Sequence, residues 1–150
     1  MIPTKPKSSS KSSTDTLQSL VGNLTLLYIK AKNYHWNTTG PNFYGDHHTF
    51  DGIQEGALDW IDTVGERIRA LQQSICACAE AYLEDSWYPE GDYELDAEGM
   101  KADMVKTLDC ISAHIMDMIK SGEFDEVTSN ILQDLCAFID KQNYFVRSSL

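Results

Sequence analysis

Apolar residues recur every three or four positions along most of this chain. Leu17, Leu20, Val21, Leu24, Leu27, Tyr28, Ala31 and Tyr34 predict an amphipathic helix that begins with the apolar run and continues to about Asn37. Thr39-Gly40-Pro41-Asn42 breaks it, and Asn42 is the expected N-cap of a second helix. That helix carries Phe50, Ile53, Ala57, Trp60, Ile61, Val64, Ile68 and Leu71 on one face and ends near Gln73. The pattern is then mixed up to Leu95, with a short helical candidate over 79–85 and turn chemistry at Pro89-Glu90-Gly91-Asp92. Asp96 should cap a third helix, marked by Met104, Val105, Leu108, Ile111, Ile115, Met118 and Ile119 and stopped by Ser121-Gly122. A fourth follows from about Asp125 with Val127, Ile131, Leu135, Phe138, Ile139, Phe145 and Val146. Short outer links and one long middle link describe an all-α four-helix bundle, with a crossover and a short extra helix between helices 2 and 3.

Residues 1–13 lack this periodicity. They are rich in Ser, with Lys5, Lys7 and Lys11 and no acid before Asp15, so a disordered tail is expected ahead of one domain over 14–150. The whole chain of 150 residues holds 12 Lys+Arg against 23 Asp+Glu, a net charge of −11. That balance argues against a nucleic-acid surface on the folded body and makes cations the natural clients. No apolar signal region or long apolar run is present, which points to a cytoplasmic protein without a membrane span. Cys76, Cys78, Cys110 and Cys136 fit no zinc spacing and read as reduced thiols.

Side chains able to hold a cation concentrate between His35 and Glu66. The Glu-x-x-His pair of common metal-binding bundles is absent, since Lys32, Tyr44, Gly45 and Ile111 stand three residues before the four histidines. At about 100° per residue with His47 at 0°, Asp51 falls near 40°, Asp62 near 60° and Glu66 near 100°. The apolar face of the same helix clusters between about 220° and 320°, so this polar stripe points to the flank of the bundle. Asp51 and Asp62 lie about 16 Å apart along the helix, too far to share an ion. One chain cannot close such a site. A second, antiparallel copy crossing near Gly56-Ala57, where small residues would allow close approach, would bring His35, His47 and Asp51 of one chain level with Asp62 and Glu66 of the other. Two equivalent sites would result, roughly 22 Å apart. Two imidazoles and three carboxylates suit iron, manganese or zinc. A merely solvated acidic face is the competing reading.

The residues His35-Trp36, Gly40, Asn42-Phe43, His47, Phe50-Asp51 and Asp62-x-x-x-Glu66-Arg67 resemble the signature of the Dps family of ferritin-like mini-ferritins, and the resemblance covers residues 15–150. It implies a hollow dodecamer with ferroxidase sites at dimer interfaces. There Fe(II) would be oxidised, preferably by hydrogen peroxide rather than oxygen, and Fe(III) stored as mineral, with Zn a possible substitute in the same site. It also implies iron-entry pores near the start of the fourth helix, where Asp125, Asn130 and Asp134 have the matching spacing and Asn130 departs from the usual acid. Trp36 and Trp60, beside the ligand positions, are candidate radical traps or simply interface and core aromatics. Register favours His47 over His48, which lies about 100° further round the helix. In some members a basic tail binds DNA, and Lys5, Lys7 and Lys11 resemble one. Three lysines against an acidic shell would give weak, salt-sensitive binding in the bacterial cytoplasm or nucleoid.

Overall fold

The structure is a computed structural model that describes residues 12–150. Of the tail expected over 1–13, residues 1–11, with Lys5, Lys7 and Lys11, lie outside the described residues, whereas Ser12 and Ser13 form the cap and first residue of the first helix. Five helices follow in order: α1 (Ser13–Asn37), α2 (Phe43–Ala70), α3 (Ala79–Glu84), α4 (Ala97–Lys120) and α5 (Glu126–Arg147). Among the described residues there is no strand. α1 packs along α2 and α4 along α5; the two hairpins join where α2 meets α5 and α1 meets α4, while α3 lies on α1. None of these helices is long and apolar enough to cross a membrane.

Capping chemistry sets the boundaries. α1 starts four residues before its first apolar position, because the Ser12 hydroxyl accepts from the Asp15 N–H at 3.1 Å and propagates the helix through a polar first turn. Asn42 makes no side-chain cap. The turn is held instead by Gly40, at φ +111°, whose carbonyl accepts from the Phe43 N–H at 3.1 Å. α2 stops at Ala70, short of Gln73, as Gln72 takes the left-handed conformation (φ +62°) and the Gln73 N–H returns to the Ile68 carbonyl. Asp96 caps α4 as expected, and Asp125, about which the fourth helix was expected to begin, caps α5, each accepting at 2.8 Å from the N–H three residues on.

The core contains Leu20, Leu24, Phe50, Ile53, Met104, Leu108, Ile115, Leu135 and Ile139, all fully buried. In α5 it also takes Leu132, which the spacing left out, whereas Val127 and Phe145 are 59% and 43% exposed. Those two lie about 110° from the centre of the Leu132–Ile139 face, on the helix flank. Two lysines are buried with it. Lys30 pairs with Asp103 at 2.8 Å and donates to Thr107. Lys101 reaches Glu98 at 2.8 Å, Asp46 at 3.5 Å and the Ser149 carbonyl, tying the N-terminal ends of α2 and α4 to the chain end. The Lys101 contacts anchor the start of α2, beside the α1–α2 turn where the candidate ligands His35 and His47 sit.

Candidate metal centre

His35 lies in the last turn of α1 and His47 in the second turn of α2, facing each other across the Gly40 turn. Their rings stack with centroids 3.7 Å apart and planes 18° from parallel. Each uses Nδ1 on the other's backbone: His35 Nδ1 donates to the His47 carbonyl at 2.8 Å, and His47 Nδ1 to the His35 carbonyl at 2.7 Å. A carbonyl can only accept, so each Nδ1 carries a proton, and in the neutral form of each ring the lone pair lies on Nε2. That tautomer is the one a metal-binding histidine needs, and the backbone contact orients the ring as outer contacts do in metal sites. Asp51, one turn further along α2, places Oδ1 3.8 Å from His35 Nε2. The same oxygen accepts from Gln54 Nε2 at 2.8 Å, which steadies the carboxylate and leaves Oδ2 for another partner.

Asp62 and Glu66 stand exposed toward the other end of α2. They border a hollow of about 240 Å³ closed by Val21, Ile61, Gly65, Arg69, Ile75, Ala77 and Tyr82. Among the described residues of one chain, no three His, Cys, Asp or Glu side chains converge closely enough to hold a metal ion. The five candidate ligands therefore form two half-sets on one helix flank, His35/His47/Asp51 and Asp62/Glu66.

One expectation about the ground between them is corrected. Gly56 and Ala57 do not leave an open surface for a second copy. Ala57 is fully buried in its own chain's core, and a Cβ at Gly56 would overlap the tip of the Phe138 ring from α5. The glycine makes room for an intrachain aromatic. The apolar residue that faces outward on the stripe is Leu58, 51% exposed and near 20° on the same wheel. Sequence spacing passes over it, because a single leucine on a polar face has no periodic partner.

The remaining candidates are dispersed. His48 is exposed and meets the Tyr44 and His47 rings edge-on. Trp36 is 67% exposed with the Lys32 ammonium over its ring, whereas Trp60 is half-buried near Phe138. Asp125 is engaged twice within its own chain, as the α5 cap and in a 3.0 Å ion pair with Arg67. The Thr128 hydrogen bonds, and after them Arg67, hold its carboxyl below the usual carboxylate value. Asn130 and Asp134, four residues apart, share an exposed face of α5. Sequence reasoning missed Gln54 as the group that orients Asp51; its place three residues on along the helix was the available signal.

A ferritin-like domain model matches residues 14–150. The DNA protection during starvation protein of Mycolicibacterium smegmatis is 31% identical over 141 residues, which cover 91% of this chain and 75% of that one. DNA protection during starvation protein 2 of Bacillus anthracis is 28% identical over 139 residues, covering 91% and 94%. Among solved structures, Dps from Staphylococcus aureus superposes with a TM-score of 0.87 at 27% identity, covering 92% of this chain and 94% of that one. Mycobacterium smegmatis Dps gives 0.87 at 26% identity, covering 92% and 85%. With the bundle, its crossover helix and the flank of paired half-sets, these matches establish that the chain belongs to the Dps family of ferritin-like proteins.

Proposed function

We propose that this protein oxidises Fe(II), preferably with hydrogen peroxide, at sites shared between two subunits, stores the Fe(III) as mineral inside a dodecameric shell, and so protects DNA in the bacterial cytoplasm. The observation that carries the reading is the reciprocal His35/His47 pair, which leaves both Nε2 atoms as ligands beside Asp51. Asp62 and Glu66 of a second subunit complete the set in this reading, and Leu58 is the apolar contact between the two ends. Fe(II) is the substrate. Two Fe(II) ions give one electron each to a hydrogen peroxide molecule, which takes two protons and leaves as water without releasing hydroxyl radical. The same imidazole and carboxylate donors accept Zn(II) as a redox-silent occupant. In this reading Asn130 and Asp134 line the iron entry with Asp125 at its rim, and the exposed Trp36 is better placed than Trp60 to intercept stray oxidant.

Anaerobic Fe(II) titration followed by peroxide, with oxygen as the comparison oxidant, tests the proposal. Rapid oxidation yielding a soluble iron-loaded shell is expected, with peroxide faster than oxygen. Replacing Asp62 and Glu66 with Ala should slow it by about 10–100-fold, on the scale seen when metal-site partners are removed; an unchanged rate would show the ligand assignment to be wrong. The relatives named for DNA protection favour a second reading, in which the Lys5/Lys7/Lys11 tail condenses DNA and metal is incidental. Gel retardation lost on deleting residues 1–11, in a protein without ferroxidase activity, would select it.

A further inference from the structure

Cys76 and Cys78 play no part in the function proposed above, yet their surroundings are the least ordinary of the four cysteines. Both are exposed, in the non-helical stretch 73–78 between α2 and α3. Cys78 has extended backbone, φ −125° and ψ 122°, and side chains two apart along extended backbone share a side. Cys76 and Cys78, separated by one residue, are thus near neighbours on the chain, and the Cys76 thiol is the main reason the Cys78 pKa is raised. Three contacts hold the segment in place. Ile75 packs on Gly65 of α2, the Cys76 N–H donates to Gln18 of α1 at 2.9 Å, and the Tyr82 ring rests directly on Gly22. The Tyr82 hydroxyl is pushed up by burial and then by charge on the two sulfurs. Ala77, between the cysteines, borders the same hollow as Asp62 and Glu66. Cys110 and Cys136 differ. Burial raises both thiols; Cys110 is partly buried on α4 against the Trp87 carbonyl, and Cys136 is buried on α5 beside Ser112.

We propose that Cys76 and Cys78 form a reversible dithiol that consumes hydrogen peroxide independently of iron. The thiolate of one cysteine attacks the peroxide O–O bond, giving a sulfenic acid and water. The second sulfur then displaces hydroxide, which leaves as water with the thiol proton. In sum, two thiols and one peroxide become one disulfide and two waters. An external dithiol reopens the bond by exchange and is itself oxidised to its disulfide. A neighbouring thiol matters here because a lone exposed cysteine under peroxide proceeds to sulfinic and sulfonic acids, which do not return. Ring closure across a single residue is strained, which places the bond in the readily reduced, cycling class.

The test uses the full, iron-free, pre-reduced protein, so its outcome does not depend on the ferroxidase reading. One equivalent of peroxide per chain should remove two titratable thiols per chain. The tryptic peptide 70–101, which contains Cys76 and Cys78 and no other cysteine, should become lighter by two hydrogens. Dithiothreitol should restore both thiols, and non-reducing electrophoresis should show no cross-linked chains. In C76S and C78S the two-hydrogen loss should vanish and reversibility fall away. The proposal is overturned if the peptide keeps both thiols while Cys110 or Cys136 reacts, if it gains oxygens in the wild type without losing hydrogens, or if the disulfide joins two chains.

Discussion

Shared sites make a prediction that no single-chain site can imitate. Let one variant carry His35→Ala and His47→Ala, and the other Asp62→Ala and Glu66→Ala. Each alone lacks one half-set at every site and should keep no more than about 1–10% of the wild-type ferroxidase rate. When the two are mixed under conditions that let subunits exchange, random pairing makes half of the dimers mixed. In a mixed dimer one site loses both half-sets, while the other recovers an intact His35/His47/Asp51 end from one chain and an intact Asp62/Glu66 end from its mate. Half of the dimers with one working site of two gives about a quarter of the wild-type activity, a figure that follows from two-fold symmetry alone. The assay is initial Fe(II) oxidation by peroxide at fixed total protein, with differently tagged chains to count mixed dimers and circular dichroism to confirm the bundle. The helix supports the premise: about 16 Å separates Asp51 from Asp62 along α2, so neither variant can repair itself by a small shift. A mixture no more active than its parents, with mixed dimers demonstrably present, would refute the shared site.

Two further outcomes follow from the packing and the caps. Gly56→Ala should gain about 0.5–1 kcal/mol of helix propensity but lose about 1–3 kcal/mol to overpacking against Phe138, and so destabilise the protein. In a Phe138→Leu background, which removes the ring tip, the same change should become neutral or stabilising. Urea unfolding at fixed protein concentration measures the cycle, and equal costs in both backgrounds would instead assign the space at Gly56 to a second copy. Asp125→Asn keeps a capping oxygen but loses the charge facing Arg67. Because the folded carboxyl titrates below its ordinary value of 3.8, its stabilisation is complete above that pH and fades as pH falls through the lower folded value. The stability gap between wild type and Asp125→Asn should therefore be fully present above the ordinary value of 3.8 and shrink as the solution is acidified below it. A gap that persists in acid would show that the charge is not its source.

The helices were legible because burial imposes a period, and where the period met a cap, as at Asp96 and Asp125, the boundaries were legible too. Two kinds of feature were not. One is the buried Lys30 and Lys101: besides Glu98, three residues before Lys101, they are met by Asp103, Asp46 and the Ser149 carbonyl, and partners that distant in the chain leave no local mark. The other is the space beside a glycine. Gly56 shows that something approaches closely, but only the folded chain shows that Phe138 is what approaches. Four of the candidate ligands, His47, Asp51, Asp62 and Glu66, were legible as a stripe spanning about 100° of one helix. The reciprocal His35/His47 bonds were not, since their acceptors are backbone carbonyls brought together by a turn that depends on Gly40 at φ +111°.

That turn explains how a half-set can exist in a lone chain without collapsing. Two histidines and an aspartate gathered on a surface would ordinarily turn to solvent, because ordering them costs side-chain entropy before any metal is present. Here the entropy is lost during folding: stacking and two backbone hydrogen bonds set both rings, and Gln54 sets the carboxylate. Asp62 and Glu66 have no comparable restraint and remain exposed side chains on a helix flank. On the shared-site reading the two halves are therefore unequal, one rigid and one adaptable. A metal entering would meet an oriented nitrogen face first and recruit the flexible carboxylates across the interface second. Since a ligand that binds only the paired state stabilises that state by mass action, iron would itself tighten the contact that completes its site.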